Sequence, residues 1–94
     1  MSRKLCRVDA STEVKQEILD CSGQVFQEVG AFLESLQSDP LPEGRQERGR
    51  GAFGIKLHCG IFVAWEIVGD LLHLTLEGPD ETILVRILGV GWGD

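Results

Sequence analysis

The sequence predicts an α+β domain in which two N-terminal helices pack on one face of an antiparallel meander. Three observations carry that expectation. Apolar residues between Ser11 and Leu36 recur at helical spacing, the period changes to two from Phe53 onward, and turn residues punctuate the second half closely enough to fix a register. At 94 residues the chain has the size of one domain, 1–94, built on a single core.

The elements follow in order. "KLCRV" near the start alternates like a short edge strand. Val14, Ile18 and Cys21 form one helical stripe, and Val25, Val29, Phe32, Leu33 and Leu36 form a second. Ser11 or Thr12 caps the first helix, Glu13 suits its first turn, Ser22-Gly23 breaks it, and Ser38-Asp39-Pro40 stops the second. A flexible connection from about Pro40 to Gly51 then leads into the sheet. His58-Cys59-Gly60 suits a three-residue hairpin loop with Gly60 left-handed, pairing Leu57 with Ile61, Ile55 with Val63 and Phe53 with Trp65. Gly69-Asp70 reads as a two-residue hairpin that pairs Ile67 with Leu72, Trp65 with Leu74 and Val63 with Leu76. "GPDE" at 78–81 closes a longer turn that sets Leu76, Leu74 and Leu72 against Ile83, Val85 and Ile87. All these apolar residues share one face, and a one-residue slip would break the agreement.

The opposite face follows from the same register. Its rows read Lys56, Phe62, Glu77, Thr82; then Gly54, Ala64, Thr75, Leu84; then Ala52, Glu66, His73, Arg86. Glu66, His73 and Arg86 are thus expected side by side, as a charge ladder or as a catalytic group. Phe62, Ala64, Val68, Leu84, Leu88 and Val90 also point to this face, which makes it too apolar to be left in water. A partner, a second copy or the C-terminal "GVGWGD" is expected to cover it.

Composition removes several function classes. The formal charge of −6 repels a phosphate backbone, so nucleic-acid contact requires a local patch such as Arg45, Arg48, Arg50 and Lys56 in "GRQERGRGAFGIKLH". The three cysteines are an odd number with no C-x-x-C, as expected for free thiols rather than a disulfide framework or zinc knuckle. No stretch is long and apolar enough to span a membrane, and no signal-like run follows "MSRKLCRV", so a cytoplasmic protein is expected. Gly49, Gly51 and Gly54 spell G-x-G-x-x-G, yet a helix precedes them and a strand follows, the reverse of a dinucleotide fingerprint. A kinase-type glycine loop would need a catalytic loop and a metal-binding Asp for which the chain has no room. His58 beside Cys59 lacks a third, orienting group. No cofactor or metal is expected.

Two helices followed by "AFGIKLHCGIFVAWEIVGD" resemble the RelE/ParE superfamily of bacterial toxins, of the type II toxin-antitoxin and plasmid-stabilisation kind. In that family an aromatic-x-I-K-L strand precedes a G-Y-R strand, a tight turn with Asp, and further strands. "SLQSDPLPEGR" is similar to the family's passage from the second helix into the sheet. The likeness runs from about Leu5 to Asp70 and is clearest from Phe53. It implies a module neutralised by a small antitoxin that wraps it. It further implies either messenger-RNA cleavage on the ribosome by lysines, arginines and sometimes a tyrosine on the open face, or, in the ParE branch, an association with DNA gyrase.

Carried over by position, Lys56 matches a family lysine, whereas the preceding lysine falls at Gly54 and the arginine of G-Y-R at Phe62. The C-terminal basic or tyrosine position falls near Glu81 or, if "GPDE" adds a hairpin, at Trp92 or Gly93, and the chain has no Tyr. The resulting expectation is an antitoxin-binding, toxin-like module depleted of catalytic groups. Lys56, His73, Arg86 and Glu66 are the candidates for any chemistry, Arg48, Arg50 and Lys56 for contact with RNA or a partner, and Phe62, Leu84 and Leu88 for an antitoxin or homodimer interface. The alternatives are a ribosome-dependent endoribonuclease and a self-associating domain that has lost the toxin role.

Overall fold

The computed structural model describes residues 4–92. In chain order it contains β1 (Arg7–Ala10), α1 (Thr12–Leu19), α2 (Gly23–Ser35), β2 (Gln46–Gly49), β3 (Ala52–Lys56), β4 (Ile61–Val68), α3 (Leu71–Glu77) and β5 (Leu84–Trp92). The strands form one sheet in the order β1-β5-β4-β3-β2, antiparallel except for the parallel β1–β5 pair. The α+β class and the N-terminal edge strand are as the sequence predicts.

The helices form for the expected reasons. Ser11 accepts a hydrogen bond from the Val14 amide at 3.2 Å and Glu13 sits in the first turn of α1. Val14, Val29 and Leu36 drop into a core shared with Phe53, Ile61, Val63, Trp65, Val85 and Ile87. Trp65 is the hub of that core. Fully buried, its ring meets Phe32 edge-on at 5.6 Å, and its indole N–H donates to the Pro40 carbonyl at 3.0 Å. That bond fixes the chain leaving α2 directly under the sheet.

The first hairpin has the predicted register: Phe53 opposes Trp65, Ile55 opposes Val63, and the Leu57 amide donates to the Ile61 carbonyl at 2.8 Å. Gly60 adopts φ 94°, the left-handed conformation the loop requires.

The next two hairpins are overturned. Residues 71–77 are helix α3 and not a strand, so the pairings of Leu72, Leu74 and Leu76 with β4 and with Ile83, Val85 and Ile87 do not exist. β5 takes the place beside β4, with Val68 opposite Leu84 and Glu66 opposite Arg86. Both segments alternate in the sequence, but β5 carries the β-branched residues Val85, Ile87 and Val90, with Ile83 just before it, and these suit a pleated surface. The leucine-rich segment has Asp70 before it and Gly78 after it, and leucine loses little rotamer freedom in a helix. Asp70 caps α3 by accepting from the His73 amide at 3.1 Å, and Gly78 ends it at φ 89°.

Three smaller corrections follow. The connection after α2 contains β2, antiparallel to β3. Val90 faces the core, 4% exposed, because a bulge at Leu88 shifts the alternation of β5 by one residue. Residues 89–92 complete β5 and pair with 61–64 rather than folding over the open face, while Gly93 lies outside the described residues.

Candidate functional site

The face of the sheet away from α1 and α2 presents Arg7 and Asp9 from β1, Leu84, Arg86 and Leu88 from β5, Phe62, Ala64, Glu66 and Val68 from β4, and Gly54 and Lys56 from β3. Two bulges shape it. Glu47 opposes Phe53 and Gly49 opposes Ala52, which leaves Arg48 the unmatched residue of β2, and Leu88 is its counterpart in β5. A bulge redirects a side chain, and Arg48 is swung inward over the face.

Its target is Phe62. The Arg48 guanidinium lies over the Phe62 ring, 4.7 Å from the centroid. The ring in turn lies across Gly54, where an added Cβ would collide with it. Gly54 and Phe62 stand at two of the positions where the resemblance calls for cations, and they form one unit: the glycine vacates the space that the aromatic ring fills. Lys56 is exposed beside Phe62, its cross-strand partner. Arg50 is exposed in the turn between β2 and β3.

Arg86 donates to Glu66 at 3.0 Å, with both side chains substantially exposed. This half of the expected row is present, and Asp9 extends it from β1. His73 does not belong to it. Carried by α3, its Nε2 lies 2.7 Å from Asp80 Oδ2, and Asp80 Oδ1 accepts from the Thr82 amide at 2.9 Å and also from the Thr82 hydroxyl. The hydrogen bond to Asp80, with the charges of Asp80, Glu77 and Asp70, raises the His73 pKa. The same bond and those from Thr82 hold the Asp80 carboxyl below the usual range. His73 therefore ties α3 to the following loop and is not carried by a strand of the sheet.

The interface candidates divide similarly. Phe62 and Leu84 are half-buried, while Leu88 is exposed on its bulge. Arg45, read as a loop charge, stacks 5.5 Å from the Phe53 ring centroid and donates to the Leu41 and Pro42 carbonyls. Sequence reasoning missed Arg7 and Asp9 as open-face residues, although the alternation of "RVDA" carried the signal. It also missed Asp80, because a strand left no means of bringing that residue to His73. All three cysteines are free, and burial raises the Cys6 thiol pKa. Among the described residues no group of three His, Cys, Asp or Glu side chains converges, and no helix is long and apolar enough to cross a membrane.

No protein-family model matches the chain, and no curated protein matches it in sequence. Solved structures do match. The isolated E. coli RelE toxin superposes with a TM-score of 0.71 at 19% identity, over 94% of this chain and 84% of that one.

The chain has the RelE fold.

A double arginine-to-alanine variant of E. coli RelE in the free state gives 0.69 at 17% identity, over 96% of this chain and 84% of that one. RelE in the intact E. coli RelBE toxin-antitoxin complex gives 0.70 at 19%, over 94% and 96% of the two chains. The arrangement of Arg48, Phe62 and Gly54 is read from this chain's own residues.

Proposed function

We propose that this chain is a toxin-like module of a toxin-antitoxin pair, cytoplasmic and held by a small antitoxin protein, with little or no ribonuclease activity of its own. The RelE fold, shared with a protein solved in complex with its antitoxin, supports the module and its class of partner. The observation that carries the loss of catalysis is the aromatic ring seated on Gly54. Cleavage of RNA by an adjacent 2'-hydroxyl needs a base, an acid and stabilisation of charge on the phosphate, and removing one such donor typically costs about 10²–10³ in rate. On this face Arg86 is neutralised by Glu66 and Arg48 is stacked on Phe62, while His73 is carried by α3 and bonded to Asp80. Lys56 and Arg50 remain to meet a partner's carboxylates or an RNA backbone.

In this reading Phe62, Leu84 and Leu88 form the apolar centre of the antitoxin interface. The chain is to be co-expressed with the product of the adjacent short reading frame, as parent and as Phe62→Lys and Leu84→Lys. The parent is expected to co-purify with that product and both variants to lose it while keeping the parent's circular dichroism spectrum. Induced alone, the chain is expected to leave ribosome-bound messenger RNA uncut. Codon-positioned cleavage abolished by Lys56→Ala would establish the endoribonuclease instead, and self-association through the same face without an antitoxin would establish the third alternative.

A further inference from the structure

Helix α3 is not required by the sheet. β4 and β5 are antiparallel neighbours whose last pair is Val68 with Leu84, and two residues suffice to join such strands. The chain instead spends residues 69–83 on an excursion that contains a capped helix. A helix of two turns has no stability of its own, and this one is held by Asp70 at its start, Gly78 at its end, the His73–Asp80 bond along its side and the buried Leu74 beneath it. What it holds in place is visible from helical geometry. At 100° per residue, Leu72 and Leu76 project directly opposite Leu74, and they are 67% and 73% exposed. Leu71, at the start of the same helix, is 37% exposed.

The surrounding charge indicates what covers it. Residues 70–82 include Asp70, Glu77, Asp80 and Glu81 and contain no Lys or Arg; Lys4 lines a pocket with Asp80 and Glu81, which leaves Asp70 and Glu77 as the carboxylates of α3 itself. His73 is committed to Asp80. A second copy of the chain would bring the same acidic rim against itself, and an anionic lipid surface would be repelled as well. A pair of leucines spaced i, i+4 and bordered by carboxylates complements one helical stripe bordered by ammonium or guanidinium groups. We infer that the outer face of α3 docks a basic amphipathic helix of a partner protein. This surface is separate from the open face and stands whether or not that face binds an antitoxin.

The test uses the full chain and two labelled synthetic helical peptides. Both carry leucines at i, i+4 and i+7. One has lysines along the flanks of that stripe and the other has glutamates. In fluorescence anisotropy the lysine peptide is expected to bind saturably, and the glutamate peptide is expected not to bind. The double variant Leu72→Ser/Leu76→Ser is expected to weaken binding by about tenfold or more while keeping the parent's circular dichroism and melting temperature. Glu77→Lys is expected to weaken it in the same direction, and Phe62→Lys on the open face is expected to leave it unchanged. Equal binding of both peptides, or loss through Phe62→Lys rather than through the leucines, would overturn the inference. So would a concentration-dependent dimer that disappears in the leucine double variant, because the occupant would then be a second copy.

Discussion

At the scale of single residues, the most informative position is one without a side chain. Glycine inside a strand ordinarily costs stability relative to alanine, about 0.5–1 kcal/mol, so Gly54→Ala would be stabilising on backbone grounds alone. Here the sign is expected to reverse, because the Phe62 ring occupies the space a methyl group needs. Forcing the ring off its seat should cost about 1–3 kcal/mol and disturb the Arg48 stack. The check is a double-mutant cycle in chemical denaturation: in a Phe62→Ala background the Gly54→Ala penalty should vanish. A penalty of the same size in both backgrounds would show that the two positions are independent. Sequence could place Gly54 and Phe62 on one face through the hairpin register. It could not show that the ring leans one row across the sheet, because that rotamer depends on Arg48, which a β2 bulge delivers.

At the scale of elements, α3 and its loop give a pH dependence whose sign can be worked out. Among the described residues, the charged groups that raise the His73 pKa are acidic: Asp80 by hydrogen bond, and Glu77 and Asp70 through their charge. Its folded pKa is raised from an ordinary 6.5, so its contribution to stability is complete below that value and is lost as pH rises through the raised one. Asp80 is shifted the other way from an ordinary 3.8, so its contribution is present above that value and fades as pH falls toward the lowered one. The two overlap between the ordinary carboxylate and imidazole values. The difference in melting temperature between the parent and His73→Gln should be largest in that window and should shrink as pH rises above it. A difference that stays constant with pH would mean that the bond does not depend on the imidazolium charge. The same element shows why half of the sheet was misread. Leu72, Leu74 and Leu76 alternate as a strand does, and only the flanking Asp70 and Gly78 identify the helix; the contest was decided by β5, which is longer, richer in β-branched residues and seated against β4. The first hairpin was legible because its turn and its alternation agreed.

For the whole molecule, the two-layer arrangement was legible because helical and strand periods occupy separate halves of the chain, and packing one apolar face on the other is the way both are buried. The parallel β1–β5 pair was not legible, since "KLCRV" is short and any strand edge would have satisfied its alternation. That pair has a consequence in time. Among the described elements β1 is synthesised first, yet it pairs with β5, the last of them, and β4 also waits for β5 along one edge. Two of the four strand pairings therefore cannot form until β5 leaves the ribosome, and they are the most non-local in sequence. A nascent chain arrested before Leu84 should be cleaved readily by a low dose of protease, and one arrested with β5 clear of the exit tunnel should resist it. During the interval between those two lengths one edge of β4 leaves its amides and carbonyls unpaired, which makes translation of β5 the step at which this chain commits to one structure.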